Sequence, residues 1–251
     1  MDENQKILLE KIKNSIKSTV GEKKIGVAFS GGVDSTMIAN ILSTLEYDVT
    51  LLTIGFKDSH DILFAKKVNE LLGLRHKILE IEPESFKKIS KDINTKIKTD
   101  NLSWNENCIA FYYVSKLASK LGIRIVVTAN GIDELFCGYN AYRDVVSDGE
   151  SAVLELMEKK LTNELEMMKA VNLISSENNV KILQPLLTFD FIDFAKKIPL
   201  DEKIHDKDDL IRKHIIRKLA LSIGVPEVSA TKRKKALQYG TKIHKSLLKS
   251  R

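Results

Sequence analysis

Short apolar runs alternate along the first half of the chain with longer stretches whose apolar residues recur at helical spacing. Strands are predicted for the short runs at 23–29, 48–54, 76–81 and 123–129, and the first of them is predicted to be buried. Helices are predicted for the longer stretches at 3–19, 34–46, 61–73 and 108–122. Because strands that alternate with helices form parallel sheets covered by helices, the fold class is α/β, with a twisted parallel sheet of about five strands.

Strand signals fade after residue 145, and the remaining chain has mainly helical patterns. These predict helices at 150–174, 188–198, 208–223 and 241–249. We therefore expect two parts, an α/β core over residues 1–145 and a helical part over 146–251 that completes the ligand site.

The first strand leads into a loop of unusual chemistry, "VAFSGGVDSTMI" from Val27 to Ile38. Backbone N–H groups and hydroxyls converge there at the positive end of a helix dipole, and glycines allow a close approach to an anion such as phosphate. An ordinary capped turn between a strand and a helix explains two glycines equally well. Asp34 would repel bare phosphate, which makes it a candidate Mg²⁺ ligand. The loop has neither the G-x-x-x-x-G-K-[ST] nor the G-x-G-x-x-G spacing.

A second acidic and glycine-rich segment, "TANGIDELFCGYNAYR" at 128–143, follows the fourth strand and carries Asp133 and Glu134. In isolation it is typical of an acidic first helical turn. Loops after parallel strands meet at one edge of the sheet, so this segment should lie beside the first loop.

Composition limits the partners only weakly. The 251 residues carry a formal charge of +6, which is compatible with nucleic acid or with ATP. Aromatic residues, at 6%, do not interleave with a basic stripe, so stacking platforms for single-stranded nucleic acid are not visible. Cys108 and Cys137 form no metal-binding or disulfide pattern. With no apolar run of 18 residues and no signal peptide, we expect a soluble cytoplasmic protein without a membrane partner.

The two loops together resemble a known family. "SGGVDST" is similar to the SGGxDS pyrophosphate loop of N-type ATP pyrophosphatases. "NGIDELFCGY", about one hundred residues downstream, resembles the GEGSDELFGGY signature of the synthetase domain of asparagine synthetases and the related beta-lactam synthetases. The resemblance extends over roughly residues 20–245. It implies an adenine-nucleotide alpha-hydrolase-like fold with ATP and Mg²⁺ as cofactors. The implied reaction is adenylation of a carboxylic acid, with pyrophosphate release, followed by amide formation with ammonia or another amine.

The same resemblance implies roles for individual residues. Asp34 and Asp133 match the metal-binding carboxylates. "KHIIRK" and "KRKKALQYG" supply Lys213 and Lys234, which with Asn130 match the reacting centre. Glu106, Glu134 and Arg217 fall on the acceptor-substrate side. The nucleotide-binding positions are Phe29, Ser30, Gly31, Gly32, Val33, Asp34, Ser35, Thr36, Ile54, Thr128, Ala129 and Gly131.

The sequence departs from the family pattern mainly where the acceptor acid would bind. Asn130 replaces the glutamate of GEGSDE, and Glu106 replaces an arginine. Leu183 and Thr188 replace the arginine and the last aspartate of R-x-PFLD. These changes alter the charge offered to a carboxylate and weigh against aspartate as the acceptor.

The nitrogen source is also open at this level. Asp2 stands where a glutaminase domain has its nucleophilic cysteine, so we expect ammonia from solution or from a separate glutaminase partner. The resemblance leaves a homodimer open. Two other functions compete with the amide ligase: an enzyme that thiolates or amidates a tRNA base, and a nucleotide-binding regulator without catalysis. Thiolating enzymes usually need a pair or cluster of reactive cysteines, and the two cysteines of this chain are far apart in sequence, so the amide ligase is preferred over the tRNA enzyme.

Overall fold

A computed structural model describes residues 1–232 and 237–250 of the chain. Its centre is a parallel sheet of five strands in the order β3-β2-β1-β4-β5. The strands are β1 Lys24–Ala28, β2 Asp48–Gly55, β3 Arg75–Glu80, β4 Ile125–Val127 and β5 Lys181–Leu183. In the register of the sheet, Val27 of β1 lies between Leu51 of β2 and Val127 of β4. The chain order reverses between β1 and β4, and ligands of open parallel sheets bind beyond the carboxyl ends of the strands at such a point.

Helices cover the sheet and continue past it. They are α1 Glu3–Thr19, α2 Val33–Thr44, α3 His60–Leu72, α4 Pro83–Ile97, α5 Leu102–Lys120, α6 Ile132–Leu135, α7 Ala141–Val145, α8 Glu150–Ser176, α9 Phe189–Lys196, α10 His214–Ser222, α11 Glu227–Ala230, α12 Leu237–Gly240 and α13 Ile243–Ser250. Local chemistry sets several ends. Asp2 caps α1 by accepting a hydrogen bond from the Gln5 N–H at 2.9 Å, and Gly73 ends α3 in the left-handed conformation.

Two hydrophobic cores lie on opposite faces of the sheet. Val27 and Leu51 belong to the core that includes apolar residues of α1 and α2. Leu52 and Ile54 point to the other core, which α5 and α8 help to form. The alternation along β2 follows from the two-residue period of a strand. Burial on both faces explains the mainly apolar sequences of β1 and β2, whereas β3, at the edge of the sheet, is only partly buried.

The parallel α/β fold predicted from the sequence is confirmed, with one added strand and two corrected helix boundaries. The part predicted to be helical contributes β5, whose Lys181 N–H donates to the carbonyl of Arg124 at 2.9 Å. Three residues are too few for a periodic signal. Helix α5 begins six residues before the predicted position, because Asn101 caps it through the N–H groups of Ser103 and Trp104.

The predicted helix at 208–223 is also shorter than expected. It begins at His214, because Arg212 and Lys213 have φ angles of 49° and 56°, which a right-handed helix cannot contain. Helix α4 was not predicted. Within the described part of the chain, no helix has both the length and the apolar character required to cross a membrane.

Candidate active site

A cavity of about 340 Å³ opens beyond the carboxyl ends of β1, β2 and β4. This volume is in the usual range for small-molecule sites. Most of the residues predicted from the sequence line it: Phe29, Ser30, Gly32, Val33, Asp34, Ser35, Ile54, Thr128, Ala129, Asn130, Asp133, Glu134, Lys213 and Arg217. Gly31, Thr36, Gly131 and Glu106 are described by the structure but are not among the lining residues.

Two serine hydroxyls of the glycine-rich loop after β1 form hydrogen bonds with the loop's own backbone. Ser35 Oγ accepts a hydrogen bond from the Ser30 N–H at 3.3 Å, and Ser30 Oγ accepts one from the Gly32 N–H at 3.3 Å. Gly31 has a φ of 77°, and a Cβ there would lie 3.2 Å from Ala65 Cα. The first turn of α2, with Val33, Asp34 and Ser35, lines the cavity, and the N-terminus of a helix favours an anion.

Gly31 and Thr36 face away from the cavity lining and contact Ser229, which supports the loop. Ser229 of α11 donates a hydrogen bond from Oγ to the Gly31 carbonyl at 2.7 Å. The same Oγ lies 3.0 Å from Thr36 Oγ1, which is fully buried. Ser229 was not singled out in the sequence, because it lies almost 200 residues from the loop and follows no motif.

Lys213 joins the two predicted metal-binding carboxylates. Its Nζ donates to Asp34 Oδ2 at 2.6 Å and to Asp133 Oδ1 at 3.0 Å. The lysine is 1% exposed. Burial alone would lower the pKa of Lys213, but the carboxylates of Asp133 and Asp34 outweigh it and raise that pKa above the usual value. The ammonium group therefore stays charged between the two acids.

The two acids fit a divalent cation as well. Both carboxylates already bind one shared cationic nitrogen, so they lie close enough to share an ion. Asp34 Oδ1 is buried and has no hydrogen-bond partner among the described residues, so this oxygen can take a ligand without losing a bond. Carboxylate oxygens are the ligands that Mg²⁺ prefers. Asp34 and Asp133 would hold such an ion.

Arg217 of α10 braces the loop that carries Lys213. Its Nε donates to the carbonyl of Arg212 at 2.8 Å, and its Nη1 donates to the carbonyl of Lys232 at 3.0 Å. Arg212 in turn donates from Nη2 to the carbonyl of Gly138 at 3.1 Å. Burial lowers the pKa of the Arg217 guanidinium. These bonds fix Lys213 in its left-handed conformation against the two acids.

Glu134 holds the second acidic segment together. Its Oε2 accepts a hydrogen bond from the Gly131 N–H at 3.1 Å, and its Oε1 accepts one from the Tyr139 hydroxyl. Burial and the neighbouring acids raise the pKa of Tyr139 well above its usual value. Gly131 has a φ of 105°, and a Cβ there would lie 2.9 Å from the Leu186 carbonyl oxygen. The segment thus needs a glycine at this position.

Asn130 meets a carboxylate that sequence reasoning missed. Its Nδ2 donates to Glu164 Oε1 at 2.6 Å, and Glu164 is 4% exposed. Lys160 and Asn163 lie on the same face of α8 and also line the cavity. Glu164 therefore supplies a carboxylate beside residue 130, where the chain itself has an asparagine. The helical periodicity of the sequence places Lys160, Asn163 and Glu164 on one face of α8 but does not show which residues that face contacts.

His76 supports the opposite wall of the cavity. Thr53 Oγ1 donates to the Phe29 carbonyl at 2.7 Å and lies 2.8 Å from His76 Nε2. Because the hydroxyl has one hydrogen, Nε2 must carry the ring hydrogen. Burial, with a smaller contribution from Lys66, lowers the pKa of His76 to about 4. The neutral ring packs edge-on against Phe29, with 5.7 Å between centroids.

Glu106 is predicted to bind substrate but does not line the cavity. Glu106 of α5 accepts a hydrogen bond from His244 Nδ1 of α13 at 2.5 Å and is 2% exposed. Lys234 lies outside the described residues. Their roles remain predictions.

Comparisons with known proteins identify a family that matches this chain. The family model described as asparagine synthase matches residues 8–180, more than half of the chain. A putative glutamine-hydrolyzing asparagine synthetase of Methanocaldococcus jannaschii is 27% identical, and the match covers 99% of this chain and 51% of that protein. Mouse asparagine synthetase is 24% identical, with 83% of this chain and 40% of the mouse protein covered. The chain thus spans about half, or less, of the length of these relatives.

Among solved structures, the NMN synthetase of Francisella tularensis has a TM-score of 0.48 and 14% identity. The match covers 92% of this chain and 74% of that one, and it is too distant to bear on function. The family assignment depends on the sequence match, which includes both acidic segments of the cavity. The chain belongs to the asparagine synthase family.

Proposed function

We propose that the protein is an ATP-dependent ligase that adenylates a carboxylic acid and converts the adenylate into an amide. The observation that carries this proposal is the cluster of Asp34, Asp133 and Lys213 beside the glycine-rich loop. Two acids and one buried cation at the N-terminus of a helix suit the polyphosphate end of a nucleotide.

Each part of the cluster has a task in this reaction. The loop N–H groups bind the phosphates that leave as pyrophosphate, and Phe29 and Ile54 lie where the adenine would contact the cavity wall. Mg²⁺, when bound by Asp34 and Asp133, would neutralise charge on the phosphates. Lys213 already lies between these acids, so it can donate to phosphate oxygens as charge develops on the leaving group.

The acceptor acid enters from the side of α8. Lys160 supplies a cation on that wall, and Asn130 and Asn163 supply amides. Glu164 would accept a proton from the attacking amine. Its hydrogen bond with Asn130 orients the carboxylate for this role. These groups favour an acid that carries a second polar or anionic substituent.

Ammonia is the proposed nitrogen donor. The relatives named above are described as glutamine-hydrolyzing, and hydrolysis of glutamine releases ammonia. We infer that ammonia is the nucleophile that attacks the adenylate at this site.

The thiolating alternative gains no support from the structure. Cys108 and Cys137 are both buried and neither lines the cavity. Burial raises the pKa of both thiols to about 12, so neither is a reactive thiolate near neutral pH.

An acid-panel assay tests the proposal. ATP, Mg²⁺ and ammonium are incubated with one carboxylic acid at a time, and AMP and pyrophosphate are quantified. We expect AMP formation that depends on one class of acid, is lost in Asp34→Asn and is retained in Asp190→Asn, which changes an exposed acid of α9. Absence of acid-dependent AMP across the panel, or full activity in Asp34→Asn, would overturn it.

A further inference from the structure

The segment around Lys213 contains a second cluster of metal-ligating side chains, His205 and Asp209 before it and His214 directly after it. One ligand atom from each lies within 4.8 Å of the other two. His214 Nε2 is 2.6 Å from Asp209 Oδ2, and the rings of His205 and His214 stack with 3.8 Å between centroids. Two of the five histidines of the chain are therefore brought together with a carboxylate by a loop of ten residues.

We propose that His205, Asp209 and His214 form a binding site for one divalent transition ion such as Zn²⁺. Two imidazoles and one carboxylate are a ligand set that suits zinc or cobalt, whereas Mg²⁺ prefers oxygen alone. Three protein ligands leave a fourth position for water, and His205 is exposed, so this position can face solvent.

Asp209 is oriented before any ion binds. Its Oδ1 accepts hydrogen bonds from the N–H groups of Ile211 at 3.0 Å and Arg212 at 2.9 Å, and its Oδ2 accepts one from the His205 N–H at 3.1 Å. These bonds, with the one to His214, fix the carboxylate, as supporting hydrogen bonds fix ligands in known metal sites.

Metal binding requires one ring to turn. The rings of His205 and His214 are stacked nearly parallel, and an ion lies in the plane of each imidazole that binds it, so the exposed His205 ring must leave the stack. Two ligand atoms about 2.0 Å from a tetrahedral ion are roughly 3.3 Å apart. The 2.6 Å contact between His214 and Asp209 must widen slightly, and the largest separation, which is at most 4.8 Å, must shorten. The ring hydrogen of His214 then lies on Nδ1, so that the Nε2 lone pair faces the ion.

The site would act on the proposed active site through the chain itself. His214 directly follows Lys213, and the loop is strained by two consecutive positive φ angles at Arg212 and Lys213. An ion that fixes both ends of the loop would stabilise the conformation that presents Lys213 to the two acids. This consequence rests on the proposed function, whereas binding of the ion does not.

Co²⁺ and Zn²⁺ binding to untagged, metal-free protein tests the site. We expect one Co²⁺ per chain with the visible absorption of a four-coordinate ion, displaced by Zn²⁺, and a Zn²⁺-dependent rise in the unfolding midpoint. His205→Ala removes an exposed ligand at little risk to folding and should weaken binding by at least about tenfold, as should Asp209→Asn. Lys207→Ala, in the same loop, should bind like the parent.

Equal binding by His205→Ala and the parent would overturn the site, as would a parent that binds no stoichiometric Co²⁺ or Zn²⁺. Neither result depends on enzymatic activity, so the proposed function can fail while the metal site stands, and the reverse.

Discussion

Replacing Lys213 by methionine removes the cation that Asp34 and Asp133 share while keeping most of the side-chain volume. Breaking a buried ion pair by removing one partner costs about 3–5 kcal/mol, because the remaining charge is left uncompensated. The two aspartate side chains are 22% and 20% exposed, so water recovers part of this cost. We therefore expect a loss near the lower end, about 3 kcal/mol.

Urea unfolding of the protein without nucleotide or added Mg²⁺ measures this loss. With an m-value of about 3 kcal/mol/M, the midpoint should fall by roughly 1 M. Lys218→Met is the matched control, because Lys218 lies on α10 and pairs with Glu202 at 3.0 Å on the surface, where such a pair contributes about 1 kcal/mol or less.

Two further measurements separate the charge effect from a packing effect. Adding Asp34→Asn to Lys213→Met should restore part of the lost stability, since it removes one of two facing carboxylates. Mg²⁺ should stabilise Lys213→Met more than the parent. The shared ion pair does not contribute as described if Lys213→Met is as stable as Lys218→Met. The same conclusion follows if adding Asp34→Asn lowers the stability of Lys213→Met instead of raising it.

Three other predictions follow from the cavity wall. Glu164→Gln should retain acid-dependent adenylate formation, measured by hydroxylamine trapping, and should lower the rate of amide formation by about 10²–10⁴-fold. The exposed control Glu166→Gln should retain both activities, and equal loss of both steps in Glu164→Gln would contradict a proton-accepting role. Gly131→Ala should lower the free energy of unfolding by more than Gly224→Ala, because both glycines have positive φ but a Cβ meets the Leu186 carbonyl oxygen only at position 131; equal losses would show that the close contact does not matter. The lowered pKa of His76 means that the unfolded chain binds a proton more readily, so its contribution to stability is complete above pH 6.5 and is lost as the pH falls toward about 4. Urea midpoints at pH 7 and pH 5 should therefore differ less in His76→Gln than in the parent, and an unchanged difference would exclude this role.

The two motif loops could be predicted from the sequence because each carries its chemistry within a few residues. Asp34 follows a strand and two glycines, and Asp133 follows another strand, so the convergence of strand ends was sufficient to place them together. The partner Lys213 could be matched only through the family resemblance, since it lies 80 residues beyond Asp133.

The remaining part of the site depends on tertiary packing. Glu164 meets Asn130 because α8 packs beside α6, and Ser229 meets Gly31 because α11 packs beside α2. Neither contact has a local signal. Strand β5 has no sequence signal for a related reason. Its three residues adopt the strand conformation because they pair with β4, and three residues are too few to show a periodic pattern.

In the proposed reaction, an oxygen of the carboxylic acid attacks the α-phosphate of ATP at the Asp34–Asp133–Lys213 cluster. Using the acid identified by the panel, labelled with ¹⁸O in its carboxylate, phosphorus NMR or mass spectrometry of the nucleotide product gives a direct test. The products should be amide, pyrophosphate and AMP that carries one ¹⁸O from the acid. Formation of ADP and phosphate, or AMP without the label, would contradict it.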